Sequence, residues 1–127
     1  MFVIVCGVIV ITMILGMKEG VIGTPTEQRL VRIAELEVDG DQLAAYTAAL
    51  KEEISTSVRV EPGVLTLYAV AVKDHPTQIR IFETYADRAA YESHLQSLHF
   101  KKYKTETQGM VKSLKLVETE PILLSAK

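Results

Sequence analysis

The strongest constraint on the fold is the order in which hydrophobic periodicity changes along the chain. In TQIRIFETY, from Thr77 to Tyr85, hydrophobic and polar side chains alternate, which predicts a strand with one buried face. Two other segments repeat at spacings of three and four, which predicts helices. Their inner stripes are Leu43, Tyr46, Leu50 and Ile54 in the first segment, and Tyr91, His94, Leu95 and Leu98 in the second.

Three further strands complete the pattern. LVRIAELEV ends near Val38, VLTLYAVAV follows the break at EPG, and MVKSLKLVETE comes last. Asp39 or Asp41 can cap the first helix, which should run to about Thr56, and Asp87 can cap the second. The segment HFKKYKTETQG is expected to be irregular, with at most a helical turn. The order β-α-β-β-α-β predicts an α+β, ferredoxin-like fold, with four antiparallel strands and both helices on one sheet face.

The second strand carries a prediction about assembly. It is apolar on both sides, which is typical of a strand covered on both faces. The two helices can cover only one face of the sheet, and a bare apolar face needs a partner. A homodimer in which two sheets pack together, a dimeric α/β barrel, satisfies that need by symmetry.

The N-terminus differs in composition from the rest. Residues 1–17 are almost wholly apolar, 18–28 read as a linker containing Gly and Pro, 29–120 form the domain, and 121–127 are a tail. We expect residues 1–17 to be a signal or membrane anchor, which would make the protein exported or membrane-anchored, in the periplasm. The segment lacks a basic region and a cleavage site. The alternative is a buried part of the fold, which would leave the protein cytoplasmic.

Composition disfavours several classes of function. The net charge is -2 and no extended basic cluster is present, so we expect no nucleic-acid partner. One Cys allows no internal disulfide, and three His at spacings that fit no zinc pattern predict no metal site. There is no dinucleotide-binding or phosphate-loop motif, so no cofactor is expected.

Four motifs together resemble one family. They are Glu61-Pro62-Gly63, the pair Glu83 and Tyr85, His94 on the second helix, and Ser97-Leu98-His99-Phe100. In this order and spacing the chain resembles the antibiotic biosynthesis monooxygenase family of dimeric α+β-barrel proteins, from about Leu30 to Glu118. The resemblance implies the ferredoxin-like fold predicted above.

The resemblance also implies a site. Glu83, Tyr85 and His94 are the expected catalytic residues, with His94 as the base and Glu83 holding its tautomer. His99, Tyr91, Tyr68 and Tyr103 are the expected substrate-binding residues. From the residues alone, other roles remain open: His94 and Tyr85 could be core, Glu83 could lie at a solvated sheet end, and His99 could satisfy the last carbonyls of a helix.

The implied activity is a cofactor-independent monooxygenase that oxidises a small quinol or phenol with O₂. The family also contains haem-degrading enzymes, isomerases and members of no known function, so a non-catalytic sensor or carrier and an isomerase are the alternatives. Haem binding is disfavoured. This chain has Lys104 where the haem branch has its ligand His, Tyr85 where that branch has Trp, and no Asn on the first strand.

Overall fold

The computed structural model describes residues 28–127. The predicted targeting segment and nearly all of the predicted linker lie outside the described residues. None of the helices in the described range is long and apolar enough to cross a membrane. The elements are β1 (Leu30–Val38), α1 (Leu43–Val60), β2 (Val64–Val72), β3 (His75–Tyr85), α2 (Arg88–Gln96), α3 (Leu98–Thr107) and β4 (Val111–Glu118), with a 3₁₀ turn over Gly40–Gln42.

The four strands form one antiparallel sheet in the order β2-β3-β1-β4. The two central strands, β1 and β3, are neighbours in the sheet although α1 and β2 separate them in the chain. This order, with the helices between the strands, confirms the predicted α+β, ferredoxin-like fold.

Alternation along the central strands gives the sheet a buried face. On β1 the buried side chains are Arg32, Ala34, Leu36 and Val38, and on β3 they are Ile79, Ile81 and Tyr85. Tyr46 and Leu50 of α1 and Tyr103 of α3 pack against this face and complete the main core. The predicted inner stripe of α1 is therefore confirmed, and one charged residue, Arg32, lies on the buried face of β1.

The second helical region differs from its prediction. HFKKYKTETQG was expected to be irregular, but Leu98–Thr107 is the helix α3. Ser97 adopts an extended conformation (φ -65°, ψ 147°), ends α2 and caps α3, because its hydroxyl accepts from the Phe100 backbone N–H. The change of direction turns Leu98 outward, and at 86% exposure it is not part of the predicted inner stripe. The first helix also continues to Val60, four residues beyond the predicted Thr56.

The other face of the sheet is open in the described chain. β2 is an edge strand, and its Tyr68 lies directly opposite Phe82 of β3. Both are exposed, as is Val70. The sequence predicted that β2 is covered on both faces, whereas within this chain the helices cover one face alone.

Candidate active site

A cavity of about 360 Å³ lies between the buried face of the sheet and the three helices. Leucine, isoleucine and phenylalanine side chains make up much of its wall. Polar and charged side chains make up most of the rest, and those that lie on the central strands, α1 and α2 include Arg32, Glu53, Glu83, Tyr85 and His94. An apolar cavity of this size with a few convergent polar groups is the usual composition of a small-molecule site.

The loop between α1 and β2 places a carboxylate beside α2. Gly63 packs so closely on α2 that an added Cβ would lie 2.5 Å from the Ala90 Cβ, and its carbonyl accepts from the Ala86 N–H at 2.9 Å. Only glycine allows this approach of backbone to helix. Glu61, two residues earlier, is thereby held next to His94.

Glu61 bonds two imidazole rings at once. Its Oε2 lies 2.9 Å from His94 Nδ1 and 2.6 Å from His99 Nε2. Partial burial acts to raise the pKa of Glu61, but the hydrogen bonds and charges of the two rings outweigh it. The pKa of Glu61 is therefore held below its ordinary value of 4.5. As an ionised acceptor, Glu61 favours the His94 tautomer with its proton on Nδ1, which leaves Nε2 free to accept a proton.

The other nitrogen of His94 faces a second carboxylate. His94 Nε2 is 3.6 Å from Glu53 Oε1, and the Ser57 hydroxyl donates to the same oxygen at 2.6 Å. Each of Glu53, His94 and His99 offers an atom within 4.8 Å of the others, so these three residues of the described range could together hold a metal ion. The sequence predicted no metal site, and the absence of a metal requirement stays a prediction.

Glu83 and Tyr85 form a second pair in the cavity wall. The Tyr85 hydroxyl donates to Glu83 Oε2 at 3.0 Å. Burial raises the pKa of Glu83, and this outweighs the opposing effects of that hydrogen bond and of the Arg32 charge. Burial and the neighbouring Glu83 also raise the pKa of Tyr85, so its hydroxyl stays protonated at neutral pH. The group expected to hold the His94 tautomer was Glu83, but the structure gives that position to Glu61.

A buried cation, Arg32, also lines the cavity. Arg32 is 7% exposed, its Nη1 donates to the Tyr91 hydroxyl, and its Cζ lies 4.6 Å from the centre of the Tyr91 ring. Tyr91 packs edge-on against Tyr85, with ring centres 5.2 Å apart, and Tyr85 lies 5.5 Å from His94. Arg32, Tyr91, Tyr85 and His94 therefore follow one another along the cavity wall.

The residues predicted for the site fall into three groups. Five of them line the cavity: Glu83, Tyr85, Tyr91, His94 and Tyr103. His99 does not line it but reaches the site through Glu61. Tyr68 is 67% exposed on the opposite face of the sheet and is separated from this group, because odd and even residues of β2 point to opposite sides.

Three residues of the site were missed by sequence reasoning. Arg32 left a signal, because a charge in the alternating register of Ala34 and Leu36 must lie on the buried face. Glu53 left a weaker one, since it follows Leu50 by three residues on the inner stripe of α1. Glu61 was noted as part of the EPG motif, but nothing local indicated that it contacts two histidines on later helices.

Comparison with known families matches residues 29–106 to the family described as antibiotic biosynthesis monooxygenase. The chain belongs to this family. No curated protein matches the chain. Solved structures that resemble this chain are described in similar terms.

A "putative antibiotic biosynthesis monooxygenase" from Bacteroides thetaiotaomicron is 48% identical, with a TM-score of 0.78 over 80% of this chain and 97% of that one. A "putative monooxygenase" from Lactobacillus acidophilus is 32% identical, with a TM-score of 0.72 over 75% of this chain and 45% of that one. A third, from Nitrosomonas europaea, is 21% identical with a TM-score of 0.73, over 79% and 96% of the two chains, and shows the shared fold alone.

Proposed function

We propose that the protein is a cofactor-independent monooxygenase that oxidises a small quinol or phenol with O₂. The observation that carries the proposal is the position of His94. Its imidazole is 3% exposed in the wall of a largely apolar cavity, and one of its ring nitrogens bonds the Glu61 carboxylate. A base oriented in this way, beside space for an aromatic ring, suits proton removal from a phenolic hydroxyl.

The chemistry assigns simple tasks to the protein. His94 takes the hydroxyl proton, and the resulting anion gives up electrons to O₂ far more readily than the neutral substrate. With a quinol, one oxygen atom enters the ring and the other leaves as water, giving a hydroxyquinone, so the substrate supplies all the electrons. In this proposal the cavity excludes bulk water and holds the ring in place, and we assign the orientation of the substrate to the Tyr85 hydroxyl and Glu83, which line the cavity.

Oxygen uptake by the purified protein tests the proposal directly. We expect uptake when small quinols or hydroxylated aromatics are added, without flavin, haem or metal and in the presence of a chelator. Ligand binding without turnover would favour a sensor or carrier, and product formed without oxygen would favour an isomerase. Uptake that requires an added cofactor would contradict the cofactor-free reaction.

The raised pKa of Glu83 makes a prediction about stability. Because the folded protein disfavours its ionised form, Glu83 costs stability as pH rises from about 4.5 through its raised folded pKa. Glu83→Gln should therefore melt at a higher temperature than the wild type at pH 8, with the difference shrinking towards pH 4. Thermal melts across this pH range measure it. The same variant should turn over more slowly. If its gain in melting temperature over the wild type is no larger at pH 8 than at pH 4, the burial argument is contradicted.

We also propose that two chains pair through the open face of the sheet. The supporting observation is the exposed apolar surface formed by Tyr68, Val70 and Phe82 on the face away from the helices. Residues 24–127 should run as a dimer in light scattering at micromolar concentration. Phe82→Glu should give a folded monomer, because a charge cannot be buried there without a partner. Leu98→Glu, at an exposed position on α3, is the matched control and should stay dimeric.

A further inference from the structure

The guanidinium of Arg32 is buried with part of its hydrogen-bonding capacity unused. Its Nη1 donates to Tyr91, but its Nε is buried and has no hydrogen-bond partner in the described part of the chain. Nη2 has its nearest carboxylate oxygen, on Glu118, at 4.0 Å, which is beyond hydrogen-bonding distance. The edge formed by Nε and Nη2 is the one with which arginine binds a carboxylate through two parallel bonds.

Two carboxylates flank Arg32 in the sheet, yet neither occupies this edge. Glu83 lies opposite Arg32 on β3 and Glu118 lies opposite it on β4. The Glu83 carboxylate instead accepts from Tyr85, and Glu118 has a side chain that is 76% exposed to solvent. Leaving N–H donors of a buried cation without hydrogen bonds costs free energy. A ligand that accepts hydrogen bonds from these donors removes that cost and binds more tightly as a result.

We propose that Arg32 is an anion subsite of the cavity. The substrate would then be an aromatic ring system that carries an anionic group, either a carboxylate or a second ionised oxygen. The proposal rests on the proposed function for one end of the ligand, where His94 meets the reacting hydroxyl. Arg32 and His94 both line the cavity, and contacts of Tyr91 and Tyr85 connect them. As a probe that can present a hydroxyl to His94 and an anionic group to Arg32, we choose two fused rings that carry these groups on different rings.

The test compares 6-hydroxy-2-naphthoate with 2-naphthol, which has the same ring system and hydroxyl but no carboxylate. Their own fluorescence reports binding at pH 7 without interference, because the chain has no Trp. The wild type should bind the acid about ten- to a hundredfold more tightly, as expected for a charge-assisted hydrogen bond to a buried cation. Arg32→Gln should reduce this preference to about threefold or less and leave 2-naphthol binding nearly unchanged.

Two further variants make the result specific. Arg80 lies on β3 and points to the face of the sheet opposite to Arg32. Arg80→Gln should therefore keep the full preference for the acid. Arg32→Lys keeps the charge but loses the planar fork, so the preference should fall to a value between those of the wild type and Arg32→Gln. If Arg32→Gln does not fold, as judged by circular dichroism, the preference of Arg32→Lys for the acid is compared with that of the wild type instead.

Equal affinity of the wild type for the two ligands would overturn the anion subsite. So would a full wild-type preference for the acid in Arg32→Gln or, where that variant does not fold, in Arg32→Lys. Both measurements are equilibrium binding, so they do not depend on turnover. A protein that binds the acid through Arg32 but consumes no oxygen would retain the subsite and contradict the proposed monooxygenase. A protein that oxidises quinols but does not prefer the acid would support the proposed monooxygenase and contradict the anion subsite.

Discussion

Replacing His94 with alanine should lower turnover by roughly a hundredfold or more, which is the loss expected when a general base is removed. The imidazole lies in the cavity wall with its Nδ1 bonded to the Glu61 carboxylate, and the neutral ring can accept a proton at Nε2. Oxygen uptake with a saturating quinol measures the change. The free energy of unfolding should fall by only about 1–3 kcal/mol, because the substitution removes one buried side chain and its hydrogen bond.

Two controls separate lost catalysis from lost structure. His75→Ala changes an exposed histidine at the start of β3 and should leave both turnover and melting temperature unchanged. His94→Gln keeps a polar side chain of similar size and should restore much of the stability without restoring turnover. An active, metal-free His94→Ala protein would exclude His94 from the mechanism and leave His99 or Glu83 as the next candidate.

The strands and the first helix could be predicted from the sequence because their signals are local. Alternation on β3 and the three-and-four spacing of Leu43, Tyr46, Leu50 and Ile54 depend only on which face is buried. α3 was missed because the hydrophobic pattern of its sequence is weak and because the cap at which it begins was not recognised. Its sequence carries many Lys, and its start depends on a cap at Ser97 that also ends α2. A continuous helical pattern through Leu98 concealed that break.

The site was predicted in part, and the missing part is long-range. The family motifs indicated His94, Glu83 and Tyr85, which the structure places in one cavity wall. They could not indicate which carboxylate meets His94, since Glu61 and Glu83 are both distant from it in the chain. That pairing depends on the close approach of Gly63 to α2, a property of tertiary packing. Tyr68 was misplaced because its strand is apolar on both sides, so composition did not show which face looks inward.

Replacing Glu61 with glutamine should reduce turnover by at least about tenfold, because the neutral amide no longer fixes the proton of His94 on Nδ1. Glutamine has nearly the same shape, so the loop and its contact with α2 should survive. The accompanying loss of stability should depend on pH. A carboxylate whose folded pKa is held below 4.5 stabilises the protein above that pH, and this contribution disappears as pH falls through the lowered folded pKa.

Thermal melts should therefore show Glu61→Gln well below the wild type at pH 7, with the two curves converging as pH falls below about 4. Glu52→Gln is the matched control, because Glu52 lies on the exposed side of α1 and, among residues 28–127, pairs only with the surface residue Lys102. An exposed ion pair contributes little, so this control should show no comparable gap at any pH. A Glu61→Gln gap of constant size from pH 7 to pH 3 would mean that Glu61 stabilises the fold through its packing, independent of its charge. The carboxylate would then have no special role in orienting His94, and the drop in turnover would need another cause.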